Sequence, residues 1–144
     1  MKKKLFIVAA GIITVLTSCS NNGDTADIAE SDKNIYNIEL VNNEKWVINE
    51  DMMVHIKKME TDIQSISTQT DPNYKELGSK LDTHIGLLTS NCTMTGKGHD
   101  ELHKWLLPFI DLVNELNEAG SKKEQKDSFF AIEESMNEFN KYFK

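Results

Sequence analysis

Apolar residues recur along this chain in two rhythms. A period of two runs through Tyr36, Ile38 and Leu40, alternating with Asn37 and Glu39, and is followed by Asn42-Asn43 and then by Lys45-Trp46-Val47-Ile48. Alternation puts successive side chains on opposite faces of a strand, and paired asparagines favour a tight turn, so this stretch predicts a short β-hairpin. Beyond Asn49 the rhythm changes. Met52, Ile56, Met59, Ile63 and Ile66 are spaced by four and three, the seam of a helix packed in a bundle. Asn49 suits an N-cap, Glu50 and Asp51 bring negative charge to the first turn, and the helix should stop before residues 68–72.

A second helix is predicted from about Asn73, with Tyr74, Leu77, Leu81, His84, Ile85 and Leu88 on one face and Gly78 and Gly86 as weak points. A third should begin near His99 and carry Leu102, Leu106, Phe109, Val113 and Leu116. Pro108 takes a donor away from the Lys104 carbonyl and predicts a kink there, and Gly120 should close the helix. A fourth follows Ser121, with Phe129, Ile132, Met136, Phe139 and Phe143 as its stripe. Four amphipathic helices joined by short loops predict an all-α fold: an antiparallel up-down four-helix bundle over residues 35–144, with the short hairpin in front.

The beginning of the chain follows neither rhythm. Lys2, Lys3 and Lys4 precede an apolar run from Leu5 to Val15 that is too short to span a bilayer. A basic start, a short apolar run and small residues describe a secretory signal over residues 1–18. Its end, Leu16-Thr17-Ser18-Cys19, resembles a bacterial lipobox. That resemblance implies diacylglycerol on the Cys19 thiol, cleavage before Cys19 and acylation of the new amine. Residues 19–34 are small, polar and acidic, and read as a flexible tether. The expected location is the cell envelope, on the periplasmic face of the outer membrane or at the cell surface, with the lipid as the membrane contact.

Composition narrows the chemistry. The 144 residues hold 16 Lys+Arg against 23 Asp+Glu, a net charge of −7, and every basic residue is Lys. Removing Lys2, Lys3 and Lys4 with the signal leaves 13 − 23 = −10. An acidic chain without arginine is a poor nucleic-acid binder and has no bidentate fork for phosphate. Short nucleotide, zinc-protease and calcium motifs are absent, and no enzymatic role is expected.

The up-down topology places the start of the first helix, the end of the second, the start of the third and the end of the fourth at one end of the bundle. There lie Met52, Met53, His55, His84, Cys92, Met94, His99 and His103. The densest run is Cys92-Thr-Met94-Thr-Gly-Lys-Gly-His99-Asp-Glu-Leu-His103. His99 and His103, four apart on a helix, can face one ion. Cys, Met and His together suit copper or zinc better than magnesium or calcium. The expected ligands are Cys92, His99 and His103, with His84 or Met94 as the fourth, and Asp100 and Glu101 as acceptors for the imidazole N–H groups. Gly96 and Gly98 would let the loop fold back toward the second helix. His55 neighbours the first seam and is expected to matter least. The ordinary readings stand beside this one: a packed thiol at Cys92, gap-filling methionines, a core histidine at 84 and surface histidines at 99 and 103. A b-type haem on His and Met, or a redox-active thiol, is a further alternative.

Lys45-Trp46, Asn49-Glu50 and Met52-Met53, together with Asn91-Cys92-Thr93-Met94-Thr95-Gly96, His99-Asp100 and Leu102-His103, resemble small uncharacterised lipoproteins of Bacteroidetes-type bacteria. The resemblance implies a lipoprotein with a helical domain and implies no activity. The expected function is therefore a membrane-anchored envelope lipoprotein that binds copper or zinc for buffering, sensing or delivery. The alternative is an anchored interaction module that docks an envelope protein and holds no metal.

Overall fold

The structure, a computed structural model, describes residues 34–144. The expected signal segment, Cys19 and the expected tether up to residue 33 lie outside the described residues. Four helices follow one another: α1 Glu50–Ser67, α2 Tyr74–Ser90, α3 Lys97–Glu118 and α4 Lys122–Tyr142. α1 packs on α2, α2 on α3, and α3 on α4, forming the all-α up-down bundle. The four apolar stripes meet in a single core that takes in Met52, Ile56 and Met59 of α1, Leu77, Leu81 and Leu88 of α2, Leu102, Phe109 and Leu116 of α3, and Ile132, Met136 and Phe139 of α4. Each such side chain contributes about 1.5–3 kcal/mol by leaving water.

α3 buries a wider face than its stripe suggests. Trp105 is fully buried between Phe109 and Phe139, with ring centres 4.7 and 4.6 Å away, and its Nε1 donates to the Ser135 carbonyl at 2.9 Å. A buried indole needs such an acceptor. Gly78 is less a weak point than a point of close approach: a methyl there would run into Asn117 Oδ1 of α3. On the α1–α4 side the helices are joined by polar bridges, Asn140 Nδ2 to Glu60 Oε1 at 2.8 Å and Ser67 Oγ to Glu133 Oε1 at 2.6 Å.

The helix ends differ in detail from the sequence reading. Asn49 occupies the N-cap of α1, and its carbonyl accepts from the Met52 and Met53 N–H groups. Its side chain is spent elsewhere, donating to Thr93 Oγ1 at 2.7 Å and so tying α1 to the α2–α3 loop. α3 starts at Lys97 and continues through Pro108 to Glu118, so Gly120 lies beyond its end. There Ser121 caps α4 with a capping box: its Oγ accepts from the Glu124 N–H, its own N–H donates to Glu124 Oε2, and the Gly120 N–H donates to the same oxygen.

The hairpin shrinks to its turn. Asn42 and Asn43 have φ of 51° and 63°, the left-handed pair a tight hairpin turn requires, and Val41 and Glu44 exchange both backbone bonds. No ladder extends from it, for two reasons. Asn37 is also left-handed (φ 52°), which breaks the alternation and drives Ile38 into the core while Leu40 stays exposed. The second half of the segment has a better partner: the Trp46 and Ile48 N–H groups donate to the Tyr142 and Lys144 carbonyls, and the Lys144 N–H donates to Trp46. The segment therefore pairs in parallel with the C-terminal residues of the chain.

Candidate functional site

The shared bundle end is built as the topology requires. Trp46 crosses it, bonded through its backbone to residues 142–144 and through Nε1 to the Glu39 carbonyl at 2.6 Å. Its ring lies on the first turn of α3, where a Cβ at residue 98 would stand 3.0 Å from Trp46 Cε3. Gly98 thus makes room for Trp46, and Gly96, with φ 75°, supplies the left-handed turn into α3. Neither role is the fold-back toward α2 expected from the sequence.

Within this end the imidazoles fall into two pairs. His99 and His103 lie with ring centres 4.2 Å apart and planes at 48°. Two imidazoles sharing one ion at a metal–nitrogen distance of about 2.0–2.1 Å hold their centres about 5–6 Å apart. At 4.2 Å these rings rest on one another. His99 Nδ1 is 3.9 Å from Asp100 Oδ1. His84 pairs across α1–α2 with His55, at 5.7 Å between centres. On its other nitrogen, His84 Nε2 stands 3.8 Å from Asp62 Oδ2. Burial pushes the His84 imidazole below its usual value, and His55 and Lys58 push the same way, against the pull of Asp62.

Cys92 and Met94 are half-buried and pack against the core, and the Cys92 thiol takes no hydrogen bond among the described residues. Among the described residues no group of three or more His, Cys, Asp or Glu side chains is arranged around a metal position. The five expected ligands are thus distributed: His99 with His103, Cys92 and Met94 against the core, and His84 with His55 and Asp62.

No protein-family model, no curated protein and no solved structure matches the chain.

Glu101 does not serve a histidine. It is almost wholly buried, accepts from the Glu39 N–H at 2.9 Å, and holds Lys104 Nζ with both oxygens at 2.9 Å. Lys104 in turn donates to the Asn37 carbonyl. This clamp pins the N-terminal arm, residues 34–41, to α3, and Tyr36 adds a bond from its hydroxyl to Ser135 Oγ at 2.8 Å.

The sequence pattern set His55 at this bundle end with the least expected weight and did not single out Asp62. They are seven apart on α1 and hence on one face two turns apart, which was visible. That His84 of α2 falls between them depends on the register of two antiparallel helices, which no local pattern carries.

Several clefts open on the described surface, and two of them are lined by aromatic side chains. One, of about 340 Å3, lies between α1 and α4 over Met53, Ile56, Phe139 and Phe143, with Lys45 and Glu60 at its edges. The other, of about 500 Å3, sits at the opposite end beside Tyr74, Phe129 and Phe130, bordered by Asp71 and Lys122.

Proposed function

We propose that the chain is a lipid-anchored protein of the cell envelope whose helical domain acts by binding a partner. The carrying observation is the run from Lys2 to Cys19: a basic start, an apolar stretch below membrane length, and Leu-Thr-Ser-Cys. Two features support a folded domain held outside the bilayer. No helix among the described residues is long and apolar enough to cross a membrane. The chain's acidic balance keeps such a domain soluble near a membrane surface.

The anchor and the module are tested together. In fractionated cells the wild type is expected in the membrane fraction, released by detergent and not by salt, and Cys19→Ala in the soluble fraction. A membrane-bound Cys19→Ala would refute the anchor. Photocrosslinkers placed singly at the exposed Val54, Leu107 and Phe130 should give one recurrent protein adduct from one face. No adduct from any of the three would refute docking of an envelope protein on these faces.

A further inference from the structure

We propose that His55 and His84 form a metal site between α1 and α2, taking one Zn(II) or Cu(I) ion through the Nδ1 atoms of both imidazoles, with Asp62 orienting His84. This site goes beyond the partner-binding reading and is independent of the lipid anchor.

Three observations converge. First, Nδ1 of His55 and Nδ1 of His84 are both buried and both lack any hydrogen-bond partner. A buried nitrogen left unpaired costs about 1–3 kcal/mol, and two on neighbouring rings call for a missing partner. Second, the ring centres stand 5.7 Å apart, within the separation of about 5–6 Å that two imidazoles adopt on one ion. The His99–His103 pair, at 4.2 Å, does not meet this condition. Third, His84 Nε2 already faces Asp62 Oδ2 at 3.8 Å. A ligating histidine usually turns its other nitrogen to a carboxylate, which fixes the tautomer and leaves the first nitrogen free to coordinate. With Nε2 toward Asp62, the His84 Nδ1 lies on the far side of the ring.

The donor set selects the ion. Two neutral imidazoles suit zinc and copper and are poor hosts for magnesium or calcium, which require several oxygens. Asp62 is shared with Lys80, 3.9 Å away, and stands behind the ring as an orienting group. Cys92 and Met94 take no part.

The test uses the full chain in detergent, without a histidine tag, titrated with Zn(II) and with Cu(I) against competing chelators, with Mg(II) as control. One equivalent of Zn(II) or Cu(I) should bind, and no Mg(II). His55→Ala and His84→Ala should each lower affinity more than about 100-fold, with the double variant adding little, because ligands of one ion are coupled. Asp62→Asn should cost about 10–100-fold. His99→Ala/His103→Ala should leave the affinity unchanged. Wild type without stoichiometric binding of either ion, or binding lost in Cys92→Ser or His99→Ala/His103→Ala, overturns the proposal. Should a histidine variant unfold, X-ray absorption on the zinc- or copper-loaded wild type decides. Two imidazole nitrogens at about 2.0 Å support the site, and a sulfur at about 2.3 Å overturns it.

Discussion

Two glutamates are buried to nearly the same degree, Glu101 at 3% and Glu138 at 4% exposure, and they should respond unequally to neutralisation. Glu101 is fully used. One oxygen accepts from the Glu39 N–H, both hold Lys104, and Lys104 reaches on to the Asn37 carbonyl. Glu138 is half used: Oε2 meets Lys141 at 3.0 Å, while Oε1 is buried without a partner. Hydrogen bonds to a charged group contribute about 1.5–3 kcal/mol each, but Lys104 is 39% exposed and its freed ammonium returns to water. Glu101→Ala therefore costs the Glu39 bond and part of the lysine bond, about 2–3 kcal/mol, or several degrees to about 20 °C in Tm. Glu101→Gln keeps an acceptor for Glu39 and should cost about half of that. Glu138→Gln should stay within about 1 kcal/mol of wild type, since it replaces a carboxylate already missing a partner. Urea denaturation of the three variants gives the magnitudes. Hydrogen exchange at Ile38 and Glu39 locates the loss, because releasing the clamp should expose those amides before the helices open. Equal destabilisation by Glu101→Gln and Glu138→Gln, or unchanged protection at Glu39 in Glu101→Ala, would refute the clamp.

The remaining predictions address other parts of the bundle. Gly86 lies exposed inside α2 with open space around it, so Gly86→Ala should raise stability by about 0.5–1 kcal/mol in urea denaturation; a loss would contradict its helical environment. Gly98→Ala should do the opposite and shift Trp46 emission, because the new methyl meets the indole ring; an unchanged spectrum contradicts the packing. His84 is held below the usual imidazole value of 6.5 chiefly by burial, so the unfolded chain takes up a proton that the folded one refuses. Its contribution is complete above pH 6.5 and is lost as pH falls from there through the folded value. His84→Asn should flatten that part of the metal-free stability curve, and an unchanged slope would sink the assignment.

Much of the bundle was legible in the sequence because helix seams are local. Met52 to Ile66 and Phe129 to Phe143 repeat every three or four residues, and nearly every stripe position is buried. His84 is the exception, half-buried at the edge of the α1–α2 contact. Trp105 and Glu101 escaped because they flank the α3 stripe, and their burial depends on α4 and on the N-terminal arm folding over them. The arm misled for the same reason. Alternation at Tyr36, Ile38 and Leu40 is a strand signal only if a neighbouring strand is free, and Trp46 and Ile48 are taken by the C-terminal residues. The bundle end that collects the histidines was readable from topology alone. Which histidine meets which was not, since pairing His84 with His55 requires the α1–α2 register to within a residue.

The mass of the N-terminal peptide of the protein isolated from membranes tests the anchored-lipoprotein account most directly. The account predicts a chain that begins at Cys19 and carries a thioether-linked diacylglycerol, with an acyl group on its amine. A peptide that retains residues before Cys19, or begins at an unmodified Cys19 thiol, would contradict it.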